Sequence, residues 1–303
     1  MKYEDTLNCV RSLQGLEYDN FKIFIIDNHS KNDSYEQLRR FFPNESVIRA
    51  KSNQGYAAGN KIGVDYALTQ KFDLVWVLNN DCCVRSNSLT ELVASYKRNG
   101  DALYSNLTLM SENPDVIHYA GTYAIDEPIQ PGKYPTYDKL KGQLLSDHLT
   151  ELEERPARIY GHSMLIPVSV IQKHGFMETD YFMFCEETDY TLKLNRHGVR
   201  SIFVPKAIII HTSTSTFTLS PRMKLIGIYY SVRNQIRLDK IYRTGYTETI
   251  LRKIGGYKGI LKFFFIERFY KKTQDEENYY RNLGILHGLV GRKGKVLNPE
   301  DLL

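Results

Sequence analysis

Three acidic side chains, Glu186, Glu187 and Asp189, fall within four positions, directly after the apolar run Tyr181-Phe-Met-Phe-Cys185. Carboxylates this close repel one another, and aromatic neighbours strip some of their water, so their pKa values rise. A carboxylate in that state suits general acid–base work. The same acids also suit the first turn of an amphipathic helix over 187–197, where negative charge is favourable. A second group, Asn79-Asn-Asp81, ends the apolar run 73–78. Its oxygens suit a hard cation such as Mg2+ or Mn2+, and its residue types equally suit a turn. His211 ends another apolar run, 207–211. Alone it reads as a structural histidine; converging on Asp81 it would be a metal ligand. The stretch Ser52-Asn-Gln-Gly-Tyr-Ala-Ala-Gly-Asn-Lys-Ile-Gly63 allows close backbone approach. It can hold a diphosphate on free amides, or simply make a tight turn with small residues for packing. It is neither a P-loop nor a GxGxxG fingerprint.

The elements that must position these groups follow from periodicity. Leu7, Val10 and Leu13 predict a helix over 4–14, stopped near Gly15. Short apolar runs predict buried strands at 21–27, 46–50, 73–78 and 102–107, with helices at 35–42, from the glycine-rich turn to 70, and at 88–98. Strands alternating with helices imply an open parallel α/β sheet, whose strand C-termini carry ligands. Residues 108–157 lose that periodicity; they predict a hairpin near 117–125 and a long, mobile insertion. A strand at 159–166, a helix from Pro167 to 174, and strands at 200–204 and 207–211 follow. From 220 the chain reads as helical, with a basic amphipathic stretch at 252–272 suited to core packing or an anionic membrane face.

The totals bound the class. The 303 residues are 42% hydrophobic and 25% charged, an ordinary globular composition. The net charge of +5 suits a phosphate-bearing ligand or an anionic surface and does not single out nucleic acid. Cys9, Cys82, Cys83 and Cys185 lack CxxC spacing and read as reduced thiols. No apolar run approaches the ~18 residues of a spanning helix, and the opening residues do not read as a signal peptide.

Taken in order, these segments resemble bacterial family 2 glycosyltransferases, particularly the rhamnosyltransferase-like branch, over roughly residues 1–235. The matching motifs are Ile26-Asp27-Asn28-His29-Ser30, Asn53-Gln-Gly55-Tyr-Ala57-Ala-Gly59-Asn60 and Asn79-Asn-Asp81. They continue with Gly161-His-Ser-Met164-Leu-Ile, Phe182-Met-Phe-Cys-Glu186-Glu187-Thr-Asp189, His211 and Tyr230-Ser-Val-Arg233-Asn234. No one motif is specific; the ordered set is. The resemblance implies an A-type glycosyltransferase fold with a mostly parallel sheet, a catalytic domain over 1–218 and a helical region over 219–303. It implies metal-dependent, inverting transfer from a UDP- or dTDP-sugar to a saccharide or lipid-linked saccharide, for cell-surface polysaccharide, by a cytoplasmic or peripherally membrane-bound chain. Asp81 and His211 would hold Mg2+ or Mn2+. Asp27 would read the base, and Asn28, Asn53, Gly55, Asn60, Asn79 and Arg233 would line the sugar-donor side. Glu187 would be the base, with Glu186 and Asp189 positioning it or the acceptor.

Two departures stand out. Glu187 occupies a position where the family usually has Asp, which moves the carboxylate outward by one methylene. The family also begins with a strand ending Thr-Tyr-Asn, which this sequence lacks, so the strands at 21–27 and 73–78 should face a gap and nucleotide-sugar binding should be weak. A non-catalytic sugar-nucleotide-binding or scaffold subunit, or a truncated inactive transferase, is the alternative. A sugar-nucleotide pyrophosphorylase would need an N-terminal glycine-rich loop with a basic residue, and none is present.

Overall fold

The computed structural model describes residues 3–42, 46–123, 140–150, 152–212, 221–243, 245–253, 256, 259 and 276–298. The first half alternates helix and strand as its periodicity predicts. α1 (Tyr3–Gln14), β1 (Ile25–Asp27), α2 (Ser34–Phe41), β2 (Val47–Arg49), α3 (Tyr56–Thr69), β3 (Leu74–Leu78), β4 (Cys82–Val84), α4 (Ser88–Asn99) and β5 (Ala102–Met110) follow in turn. β6 (Ile117–Tyr119), β7 (Thr122–Tyr123), β8 (Arg155–Arg158), β9 (Ser163–Pro167), α5 (Val168–His174), α6 (Glu186–Arg196) and β10 (Arg200–His211) complete the sheet region. α7 (Pro221–Tyr242), α8 (Tyr246–Lys253) and α9 (Glu276–Leu289) form the C-terminal helices, with α7 packed on α9.

The strands form two sheets. One is the parallel pair β1–β2; the other runs β3-β9-β5-β10-β8-β7, with β4 on β10 and β6 on β5. The α/β class of the glycosyltransferase A-type fold holds, but strand pairing is mixed rather than mostly parallel. Only β1–β2 and β5–β10 pair parallel among the described residues. β3 and β5 do point the same way, as helical crossovers require. β9 arrives much later in the chain and inserts between them, antiparallel to both. Local periodicity shows the direction of successive strands and says nothing about a later strand that enters between them.

Side chains alternate across the large sheet as pleating demands. Val77, Leu103, Met164 and Ile166 face one apolar layer, covered by α3, α5 and α6 residues such as Val64, Ile171, Tyr190 and Leu194. Trp76, Tyr104, Leu165, Ile202 and Val204 face the other, covered by Leu13 of α1 and Leu89, Leu92 and Val93 of α4. The result is helix, sheet, helix, with strand ends free for a site. α3 packs against both β1 and β3. Each of those strands has one hydrogen-bonded neighbour among the described residues, β2 and β9 respectively, and no strand joins the two sheets.

Other expectations need correction. The hairpin at 117–125 does not form: β6 pairs with β5 and β7 with β8. The strand expected over 159–166 is shorter: β9 starts only at Ser163, after a turn at Gly161-His162, and β8 ends before it at Arg158. The two strands at 200–211 are one strand, with a register shift between Val204 and Ile208. Pro205 lies there, lacking the N–H a regular ladder needs, so the chain bulges and continues. Residues 124–139 of the insertion expected within 108–157, and most of the basic stretch 252–272, lie outside the described residues.

Candidate active site

The site begins with a strand that periodicity did not announce. β4 pairs antiparallel with the end of β10, placing Cys82 opposite His211, and the Thr212 N–H donates to the Asp81 carbonyl at 2.9 Å. This brings Asp81 Oδ1 to 3.2 Å from His211 Nε2. Asp81 Oδ1 is buried and has no hydrogen-bond partner among the described residues. Two ligands about 2.1 Å from an octahedral ion sit about 3.0 Å apart, so this pair has the spacing and chemistry of a divalent-cation site. The Cys82 sulfur lies within 4.8 Å of both ligand atoms. Burial raises the pKa of its thiol well above the usual value, which keeps it a thiol and leaves the harder Asp81 and His211 as the fitting donors. Asn79 lies two residues before Asp81, its N–H bonded to the His162 carbonyl at 2.9 Å, which extends the β3–β9 ladder to the site.

Two histidines not singled out from the sequence complete this corner. The rings of His118 and His162 both stack on His211, with centroids 5.5 and 4.9 Å away and planes within 7° and 13°. His162 Nε2 meets the Thr108 hydroxyl at 2.8 Å. Burial pushes His118 down to about 4 and His162 well below the usual imidazole range. Both are therefore neutral near pH 7 and add no positive charge beside a cation site. All three sit in or beside strands, at 118, 162 and 211. That placement was the available sequence signal, and only strand pairing brings the rings together.

Gly161 and His162 join this corner to the acids. His162 supports His211, while Glu187 lies against Gly161: a Cβ added there would fall 3.2 Å from Glu187 Cγ. The absent side chain makes room for the longer acid noted in the sequence. The Tyr56 hydroxyl donates to the Gly161 carbonyl and pins the turn from the other side. Glu187 is half-buried at the start of α6, whereas Glu186 is buried. Burial first, and the Glu187 charge second, push Glu186 from the ordinary 4.5 to about 8. Between these values the unfolded chain loses this proton and the folded chain keeps it, so stability falls as pH rises through that window. Glu186→Gln, which copies the protonated acid in shape, is expected to flatten the decline in urea unfolding measured across the window. An unchanged slope would show that Glu186 is not its source.

Asp189, expected to position the base or the acceptor, is tied to α7. It is buried, and the Tyr242 hydroxyl donates to both its Oδ1 and its carbonyl at 3.0 Å, joining α6 to α7. Burial raises its carboxyl pKa. A second correction concerns Arg233, expected on the sugar-donor side. It is 1% exposed, and its guanidinium donates to the Tyr181 carbonyl, the Gly294 carbonyl and Asn234 Oδ1 at 2.7, 2.7 and 2.9 Å. Each of its three nitrogens is thus engaged by the protein itself. Asp27, expected to read the base, is fully buried; its carboxylate accepts the Ser30 N–H and pairs with Arg49 Nε at 3.4 Å. It shapes the loop rather than facing a ligand.

Of the remaining residues expected on the sugar-donor side, Asn28, Asn53 and Gly55 form one hydrogen-bonded group. Asn28 Nδ2 donates to Asn53 Oδ1 and to the Gly55 carbonyl at 3.2 and 2.9 Å, and Asn53 Oδ1 also accepts the Gly55 N–H at 3.0 Å. Asn60 Nδ2 donates to the Tyr56 carbonyl one turn earlier. Asn28 Oδ1 is a buried acceptor without a hydrogen-bond partner among the described residues. Of the two readings of the glycine-rich stretch, the tight turn is realised, because the Tyr56 N–H is taken by the Phe182 carbonyl at 3.1 Å. Gly55 has φ of 95°, and a Cβ there would lie 1.9 Å from the Phe182 oxygen. Gly55→Ala is expected to cost about 1–3 kcal/mol or more in urea unfolding, from strained backbone and the clash together. A loss of a few tenths would show that the turn relaxes freely.

Residues 2–149 match the family model described as Glycosyl transferase family 2. Over 307 aligned residues the chain is 24% identical to low-salt glycan biosynthesis hexosyltransferase Agl10 of Haloferax volcanii, covering 99% of this chain and 90% of that protein. Among solved structures it is similar to the crystal structure of GalNAc-T7 with UDP, GalNAc and Mn2+, at a TM-score of 0.58 and 16% identity. That likeness covers 79% of this chain, which spans 45% of the length of the GalNAc-T7 chain. Residues 2–149 thus match a family 2 glycosyl transferase domain, the fold is A-type glycosyltransferase-like, and these likenesses support glycosyltransferase activity.

Proposed function

We propose that the chain transfers a hexosyl or deoxyhexosyl group from a nucleoside diphosphate sugar to a hydroxyl of a saccharide or lipid-linked saccharide, with inversion and with a divalent metal. The observation that carries this reading is the adjacency of Gly161 and His162. The Glu187 side chain lies against the first, and the ring of the second stacks on His211 of the Asp81–His211 pair. A base and a diphosphate-side cation site on neighbouring residues are what a one-step displacement at an anomeric carbon requires.

In that step Glu187 accepts the proton of the acceptor hydroxyl. The hydroxyl oxygen forms the new bond to the anomeric carbon as the bond from that carbon to the diphosphate oxygen breaks on the opposite face. The electron pair leaves with the nucleoside diphosphate. Asp81 and His211 would hold Mg2+ or Mn2+, which when bound supplies positive charge to the departing diphosphate. Asn28, Asn53 and Asn79 border the sugar-donor side, where the unpartnered Asn28 oxygen offers an acceptor to the nucleotide. Burial keeps Glu186 neutral near pH 7.

The test is a panel of UDP- and dTDP-hexoses and deoxyhexoses screened with Mn2+ by thermal shift, followed by nucleoside diphosphate release with oligosaccharide and lipid-linked acceptors. Metal-dependent, acceptor-dependent release from one sugar donor is the expected result. Stabilisation by a sugar donor without release against any acceptor would favour a binding role. A retained anomeric configuration in the product would overturn the one-step displacement.

A further inference from the structure

The segment between Tyr181 and α6 has an unusual backbone. Phe182, Phe184 and Cys185 all have left-handed φ, at 66°, 66° and 72°. None is glycine, so each is strained and persists only where its surroundings hold it. The Cys185 carbonyl accepts the Asp189 N–H at 2.8 Å, the first bond of α6, so the shape of this loop sets where α6 and its acids begin.

What holds the loop comes from α7. The Asn234 side-chain amide donates to the carbonyls of Tyr181, Met183 and Phe184 at 3.1, 2.7 and 2.9 Å. Its oxygen accepts from Arg233, whose other arms reach the Tyr181 and Gly294 carbonyls. Both residues are buried, at 1% and 0% exposure, so these carbonyls have no water to replace a lost donor. Phe182, the one loop carbonyl between these that Asn234 does not take, turns the other way and accepts the Tyr56 N–H beside Gly55. Its ring packs 4.9 Å from that of Tyr230, one helical turn before Arg233 and Asn234. The tail closes the circuit. The Gly294 N–H donates to the Asp180 carbonyl at 2.7 Å, and the Lys295 ammonium to the Asn53 carbonyl at 3.1 Å.

We propose that Arg233 and Asn234 are positioning residues for the base: they hold the left-handed loop that sets Glu187 in place, and through the Phe182 carbonyl they couple that base to the glycine-rich loop on the sugar-donor side. The catalytic half of this inference rests on the reading of Glu187 as the base. The coupling explains why helices outside the sheet matter to the site. α7 supplies neither the metal pair nor the base, yet the start of α6 hangs from two of its adjacent polar side chains.

The test is amide hydrogen exchange on the full chain, with no ligand, for the wild type, Asn234→Asp and Arg233→Lys. Asn234→Asp keeps the shape and removes the donors. Exchange over 182–190 and at Gly55 and Tyr56 is expected to quicken by about tenfold or more, while β9 and α4 keep their rates. Arg233→Lys, which keeps the charge but cannot reach three acceptors, should give a smaller effect in the same peptides. Acceleration in all elements alike would mean a global loss of stability, and it would overturn the proposal, as would unchanged exchange over 182–190. In parallel, nucleoside diphosphate release should show a kcat loss larger than the rise in KM for the sugar donor. Local acceleration with transfer intact would overturn the catalytic half. If Glu187→Gln were also fully active, the fault would lie with the base reading and not with the clamp.

Discussion

Glu187→Gln is expected to lower glycosyl transfer by about 10²–10⁴-fold while leaving the melting temperature nearly unchanged. The amide fills the same half-buried space against Gly161 but cannot take a proton from an acceptor hydroxyl. Neighbouring acids do not substitute for it. Glu186 is buried and protonated near neutral pH, and Asp189 is engaged by the Tyr242 hydroxyl. Initial rates of nucleoside diphosphate release, with binding of UDP and Mn2+ measured alongside, separate chemistry from binding. Wild-type turnover in this variant would remove Glu187 from the mechanism. Glu187→Asp should fall between the two, because it keeps the carboxylate but withdraws it by ~1.5 Å, one carbon–carbon bond, from a position Gly161 leaves open.

Asp81→Asn should weaken UDP binding in the presence of Mn2+ by about 10²-fold or more, to the level the wild type shows in a chelator. The amide keeps the size of the side chain, removes its charge, and presents either a neutral oxygen or an N–H to His211 Nε2 3.2 Å away. His211→Ala should have an effect of similar size, and the double variant should be little worse than either single one, because one ion is lost in every case. Calorimetric titrations of UDP with and without Mn2+ read this directly. If wild-type affinity is the same with metal and with chelator, the Asp81–His211 pair is not a cation site for the nucleotide.

Much of the local structure was legible from spacing. α1, α3 and α4 lie within about two residues of where apolar periodicity puts them, and the run 73–78 forms β3. The acids at 186–189 form a helix start, and a helix start is compatible with the chemistry assigned to Glu187. Burial was less legible. Asp27 and Arg233 both carry charge in motifs that suggest ligand contact. The structure turns both inward, because backbone N–H groups and carbonyls in irregular loops need partners as much as a ligand would. Asp27 satisfies Ser30, and Arg233 satisfies Tyr181 and Gly294. No spacing rule could distinguish those uses.

The sequence by itself determined the α/β class, the order of most elements and the clustering of the acids, because each depends on residue type and short-range period; only the family resemblance joined Asp81 to His211. Tertiary structure decided the rest. It inserted β9 between β3 and β5, and it used the short β4 to carry Asp81 to His211. It also stacked His118 and His162 on that histidine and hung the loop before α6 from Asn234. These are contacts between residues 49 to 130 positions apart, or between strands too short to show a period. They form only when the whole sheet closes and each buried polar group finds its partner.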